Sequence, residues 1–186
     1  MIAKKVNIIN ENITKNLEKL PCLNGFQLYG IAEQVIRRYN DDEWIPFIVD
    51  SDSEDHEVFV DDDFPLGLYH RLLSKTYSMP DRKNQYGDDV VQMVTADMIL
   101  VCWAFRKYLD KKGTIDTIER IIYSSLNGKE ILALQSNFDR KAVFSGEFSG
   151  VPFNLPEDVL LFSMRYRVTY PLTSRECIEI ENICNN

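Results

Sequence analysis

Residues 159–170 constrain the fold of this chain more firmly than any other stretch. Leu160, Phe162, Met164, Tyr166, Val168 and Tyr170 occupy every second position, and from the middle of the run onward Ser163, Arg165, Arg167 and Thr169 occupy the positions between them. Successive side chains of an extended chain point to opposite faces, so alternation of this length predicts a β-strand with one buried and one wet face. A strand of that kind needs a partner. Residues 142–148, with Phe144 and Phe148 on one side, are the expected antiparallel neighbour, reached through a connection that carries Pro152 and Pro156.

Two helices are equally plain. Ile2, Val6, Ile9, Ile13, Leu17 and Leu20 recur at steps of three and four, which places them on one face of a helix over 2–20 that Pro21 ends. Thr114 opens a second helix near 114–127. Asp116 and Glu119 lie toward its positive end, Ile115, Ile118, Ile122 and Leu126 form one face, and Asn127-Gly128 closes it.

The intervening chain reads as short strands and turns. In 25–50, Leu28, Ile31, Ala32, Val35, Ile36 and Tyr39 fit a helical stripe. Gly30 interrupts it, however, and the turn-like Asn40-Asp41-Asp42 leads into Trp44-Ile45-Pro46-Phe47-Ile48-Val49. The balance favours a β-hairpin whose second strand is an edge or bulge because of Pro46. Residues 57–60 and 67–73 predict further strands about an Asp61-Asp62-Asp63 turn, and 78–89 a surface loop. The apolar run 90–108, with Ile99-Leu100-Val101-Cys102-Trp103 at its centre, predicts a buried central strand, with a helix as the alternative. Residues 131–134 are apolar but of undetermined type. The fold class is therefore α+β: a twisted antiparallel sheet packed against the two helices, with long loop and hairpin extensions. At 186 residues the chain suits a single domain, 1–186, with the acidic region 40–89 as an extension.

Charge is distributed unevenly. Between Arg38 and Arg71 there are eleven carboxylates (Asp41, Asp42, Glu43, Asp50, Asp52, Glu54, Asp55, Glu57, Asp61, Asp62 and Asp63) and no Lys or Arg. The whole chain carries a formal charge of −8, so the remainder is slightly positive. Basic residues form only modest groups: Arg37-Arg38, Arg106-Lys107 with Lys111-Lys112, and Arg165 with Arg167. This disfavours general nucleic-acid binding, which depends on clustered cations displacing phosphate counterions.

Motifs that would carry chemistry do not assemble. Asp50-x-Asp52-x-Glu54 resembles the start of a calcium loop, but Asp55 and Asp61 occupy the positions that need Gly and a bidentate Glu. The four cysteines form no CxxC pair, and with only His56 and His70 to assist them they suggest reduced thiols rather than zinc; Cys102 reads as a small core residue. His70 lacks an adjacent nucleophile motif and reads as structural. Ser145-Gly146 and Ser149-Gly150 complete no nucleophile elbow, and no phosphate or dinucleotide loop is present. No catalytic residue, cofactor or metal is expected. The first ten residues do not form a secretory signal, and no segment is apolar enough to span a bilayer.

A family resemblance goes further than these features do. Leu28-Tyr29-Gly30-Ile31-Ala32-Glu33 follows an amphipathic helix and precedes a Trp-Ile-Pro strand; Leu68-Tyr69-His70-Arg71 comes next, and Arg165-Tyr166-Arg167 lies in the late alternating strand. In this order of elements the chain resembles the head–tail connector and tail-terminator-like neck ring proteins of tailed bacteriophages, of the kind found in crAss-like phages of Bacteroidetes. The resemblance covers most of the chain and rests on order and texture, not on a diagnostic motif. It implies a homo-oligomeric ring, a hexamer or dodecamer, between portal and tail, with packaged DNA passing through without sticking. It further implies contacts with the portal and other neck or tail rings, a place in the virion after assembly in the host cytoplasm, and no membrane. On this reading Glu33, Arg37, Arg38, Trp44, Asp61, Asp62, Asp63, Arg165 and Arg167 are the candidate interface residues. Trp44, Tyr69, Tyr77 and Tyr86 are the aromatics expected on the surface. The acidic segment would face the channel, meet a basic patch on a neighbouring ring, or be a solvated outer loop. Alternatives are an acidic regulatory or DNA-mimicking binding protein, and a hydrolase with dispersed catalytic residues.

Overall fold

A computed structural model describes residues 2–20, 25–38, 44–49, 55–57, 64–79, 90–109, 114–126, 131–137 and 159–173. In chain order they form α1 (Ile2–Leu17), β1 (Gln27–Ile31), β2 (Glu33–Arg38), β3 (Trp44–Val49), β4 (Asp55–Glu57) and β5 (Leu66–Ser78). These are followed by β6 (Val90–Phe105), α2 (Arg106–Leu109), α3 (Thr114–Leu126), β7 (Ile131–Asn137) and β8 (Val159–Thr173). The α+β class expected from the sequence is the one observed.

A five-stranded sheet in the order β1-β5-β6-β8-β7 carries the core. It is antiparallel except at β1, which lies parallel to β5. On one face α1 buries Val6, Ile9, Ile13 and Leu17, and α3 buries Ile118, Ile122 and Leu126, against Leu66, Leu68, Met98, Leu100, Cys102, Phe162, Met164 and Tyr166. Each such aliphatic side chain contributes about 1.5–3 kcal/mol on leaving water, which outweighs the weak helix propensity of the β-branched residues on these faces. Asn16 on α1 donates to Ser125 Oγ on α3 (3.1 Å), joining the two helices side by side.

On the other face a small sheet, β2-β3-β4, covers only part of the large one. Ala32 and Ile48 pack there with Tyr69, Ile99, Val101, Trp103, Phe105, Val159 and Leu161. The central strand β6 is consequently buried on both faces over 98–105 and on one face only before that. Gly67 lies opposite Trp103 in the β5–β6 ladder, and the indole fills the space where a Cβ would stand, so any larger residue would clash with the ring. Trp103 in turn meets Phe105 edge-on, with centroids 5.8 Å apart.

The two sheets share one continuous piece of chain. β1 runs into β2 through Ala32 alone, whose N–H donates to the His70 carbonyl (2.8 Å) as the last bond of the β1–β5 edge. The expected hairpin is β2–β3, with Glu33 opposite Val49 and Arg38 opposite Trp44. The extension expected over 40–89 is cut short, because β5 is a strand of the large sheet and 66–70 belong to the core. Of the strand expected at 57–60, only Glu57 is among the described residues, as the last residue of β4; 58–60 lie outside them. Residues 142–148 lie outside the described residues; the described neighbours of β8 are β6 and β7, the latter formed from the stretch of undetermined type. Ser163, expected on the wet face of β8, is buried, so the wet face begins at Arg165. Among the described residues no helix is long and apolar enough to cross a membrane.

Candidate functional site

The nine sequence-selected residues do not converge on one spot. Glu33 is exposed at the start of β2, while Arg37, Arg38 and Trp44 are placed by backbone register at the far end of the β2–β3 hairpin. Asp61, Asp62 and Asp63 lie outside the described residues. Arg165 and Arg167 are exposed on β8, on the face that carries the small sheet but beyond its cover. Arg167 faces Asp97 across the β6–β8 ladder and donates Nε to Oδ1 at 2.6 Å and Nη2 to Oδ2 at 3.2 Å. That guanidinium holds the Asp97 carboxyl below its ordinary range.

Inside the helix-side core a directional chain of hydrogen bonds crosses four elements. Tyr166 OH on β8 lies 2.6 Å from His70 Nδ1 on β5, and His70 Nε2 lies 2.7 Å from Asn10 Oδ1 on α1. Asn10 Nδ2 then donates to the Tyr29 carbonyl on β1 (3.2 Å). Because a carbonyl oxygen only accepts, Asn10 turns Oδ1 toward the histidine; Nε2 therefore carries the hydrogen and Nδ1 accepts from the phenol. With a neutral ring every donor and acceptor is matched, the phenol hydrogen included. Burial pulls His70 down to about 3 and pushes the Tyr166 phenol above its usual value. His70 is fully buried, with both nitrogens engaged within the core. The histidine read as structural in the sequence is the hub of this chain. Its partners lie 60 and 96 residues away, a separation no local pattern reveals.

A second set lies on the opposite face, where β2 and β5 diverge. Gln34 donates Nε2 to Tyr69 OH, and its Oε1 accepts from Arg71 Nη1 at 2.6 Å. Tyr69, expected on the surface, is fully buried beneath the small sheet, and that burial raises its phenol pKa. The fork opens into a cleft of about 340 Å³ lined by Ile31, Ala32, Glu33, Gln34, Arg71 and Leu72. Among the described residues no group of three or more His, Cys, Asp or Glu is arranged to hold a metal.

Beyond the cleft, β5 continues as an outer arm over 72–78 that sequence reasoning missed. All of these residues are exposed, including Leu72, Leu73 and Tyr77, and Met79 beyond them is 82 % exposed. The available signal was Leu72-Leu73, adjacent apolar residues that break the strand alternation; they mark the bulge between Leu72 and Ser74. Of the aromatics expected outside, Tyr77 is exposed, whereas Tyr86 and the Trp44 side chain lie outside the description. The sequence matches no protein-family model and no curated protein.

Proposed function

We propose that this chain is a structural subunit that assembles into a ring in the neck or tail of a tailed bacteriophage, between portal and tail, through which DNA passes. The observation that carries the assembly part of this reading is the outer arm of β5. A surface strand with Leu72, Leu73, Tyr77 and Met79 exposed offers apolar area and backbone groups to another chain. The virion setting comes from the family resemblance in the order of elements. Arg165 and the Arg167–Asp97 pair then belong to a solvated face, and Glu33, Arg37, Arg38 and Trp44 to the small-sheet side available to a neighbouring ring.

The mass of the purified protein in solution, with negative-stain images, tests the reading. Rings of six or twelve copies, or recovery with portal and capsid components, are the expected result. A persistent monomer that bound one basic protein with strong salt dependence would replace the ring with the acidic regulatory reading.

A further inference from the structure

Among the described residues no strand pairs with the outer side of β5 over 72–78, since β1 occupies that edge only as far as His70. An open edge is a template for another strand, and proteins ordinarily blunt such edges with charge, proline or bulges. Here the blunting consists of one bulge and Lys75, against three exposed large apolar residues. Leu72 lies opposite Met98 and Tyr77 opposite Val94, so both stand on the helix side of the sheet, beside the core.

The chain carries a segment suited to this edge. β8 runs in the same direction as β5, and its Thr173 pairs with Val90 at the end of the sheet where Ser78 pairs with Met93. The described part of β8 therefore ends at the same end of the sheet as the open edge of β5. Their sequence alternates, with Ile178 and Ile180 on one side and Cys177, Glu179 and Glu181 on the other, the period of a strand with one apolar face. The net charges are opposite in sign: 174–186 contains Glu176, Glu179 and Glu181 with one Arg, whereas 71–79 contains Arg71 and Lys75 and no carboxylate. To reach its own edge the segment must reverse and cross the ends of β6 and β5, about 14 Å at the spacing of neighbouring strands. Continuing onward instead, an extended 174–181 would span about 26 Å at about 3.3 Å per residue, enough to reach another molecule.

We infer that residues 174–186 of one copy add as a strand to the β5 edge of the next, with Ile178 and Ile180 on the helix side, the side on which Leu72 and Tyr77 stand. This rests on the ring reading: a donor segment and an acceptor edge at different places on one chain make a head-to-tail contact, which gives a ring when its rotation closes.

The test is disulfide trapping in the full chain. With the isoleucines on the helix side, Cys177 faces the side of Thr76 and Ser78. Thr76→Cys and Ser78→Cys, prepared as separate proteins and mildly oxidised, should give a ladder of linked chains on a non-reducing gel. Adding Cys177→Ser should reduce that ladder at least tenfold, and peptide mass spectrometry should join the introduced thiol to Cys177. A concentration-independent link within one chain would place the segment on its own edge and overturn the inference, as would the absence of any link to Cys177. Rings in micrographs without the link would reject this contact and leave the ring reading intact. Linked chains that never exceed pairs would keep the contact and reject the ring.

Discussion

Acidification should unload the His70 chain before it affects the rest of the molecule. In the folded state the imidazole is neutral because burial holds it at about 3, and once unfolded it returns to about 6.5. A group depressed on folding leaves stability intact above its unfolded pKa and removes it as pH falls toward the folded value, because the unfolded chain then binds the extra proton. The full difference corresponds to about 5 kcal/mol at about 1.4 kcal/mol per pH unit. Ordinary carboxylates titrate near 4, so the informative window is pH 7.5 to 5, where this one proton removes about 2 kcal/mol. For a chain of this length that lowers the melting temperature by roughly 4–8 °C. Urea unfolding at half-unit pH steps measures the loss. His70→Leu should be less stable at pH 7.5, because Tyr166 OH and Asn10 Oδ1 lose their partner, yet it should lose about 2 kcal/mol less than wild type across the window. Repeating the comparison in a His56→Asn background removes the other histidine from the difference. In parallel, the His70 ring resonances should not titrate while the protein stays folded. Equal slopes for wild type and His70→Leu, or a His70 resonance titrating near 6.5 in the folded protein, would refute the reasoning.

Tyr166→Phe leaves Nδ1 without its donor inside the core and should cost about 1–3 kcal/mol in chemical denaturation, the usual penalty for an orphaned buried acceptor. Gly67→Ala drives a methyl group into the Trp103 ring and should destabilise by about 1–3 kcal/mol, with a changed indole emission as its signature. Asp97→Asn removes an exposed ion pair; its effect on the urea midpoint should be small and should vanish in high salt. Because Arg167 keeps Asp97 ionised below the usual carboxylate range, whatever that pair contributes persists above ordinary carboxylate pH and is lost as pH falls through the lowered value.

The elements legible in the sequence are those with one wet face. α1, α3 and the outer part of β8 touch the core on one side only, so burial imprints a clean period on them. β6 loses its period where the small sheet covers its second face, which is why 98–105 read as a buried strand with a helix left as the alternative. The helical stripe across 28–36 has another cause. Leu28 and Ile31 both reach the helix-side core because the β1–β5 register slips between them, and the chain then changes sheets at Ala32, so spacings of three and four arise without a helix. Tyr69 was misplaced for a related reason: it points to the face covered by a sheet whose position no local pattern encodes. The open edge of β5 was equally hidden, since an edge is defined by which strand fails to arrive.

The central place of β6 also shapes how the chain is made. Its partner β8 lies about fifty residues further along, and α3 and β7 come between them. At ribosomal rates of about 5–20 residues per second, β8 follows β6 by roughly 3–10 s. During that interval a continuous apolar strand has only its β5 hairpin neighbour, and closing so long a loop is entropically slow. The strand that anchors the finished sheet is therefore, for the first seconds of its existence, the segment of the nascent chain most in need of protection from other chains.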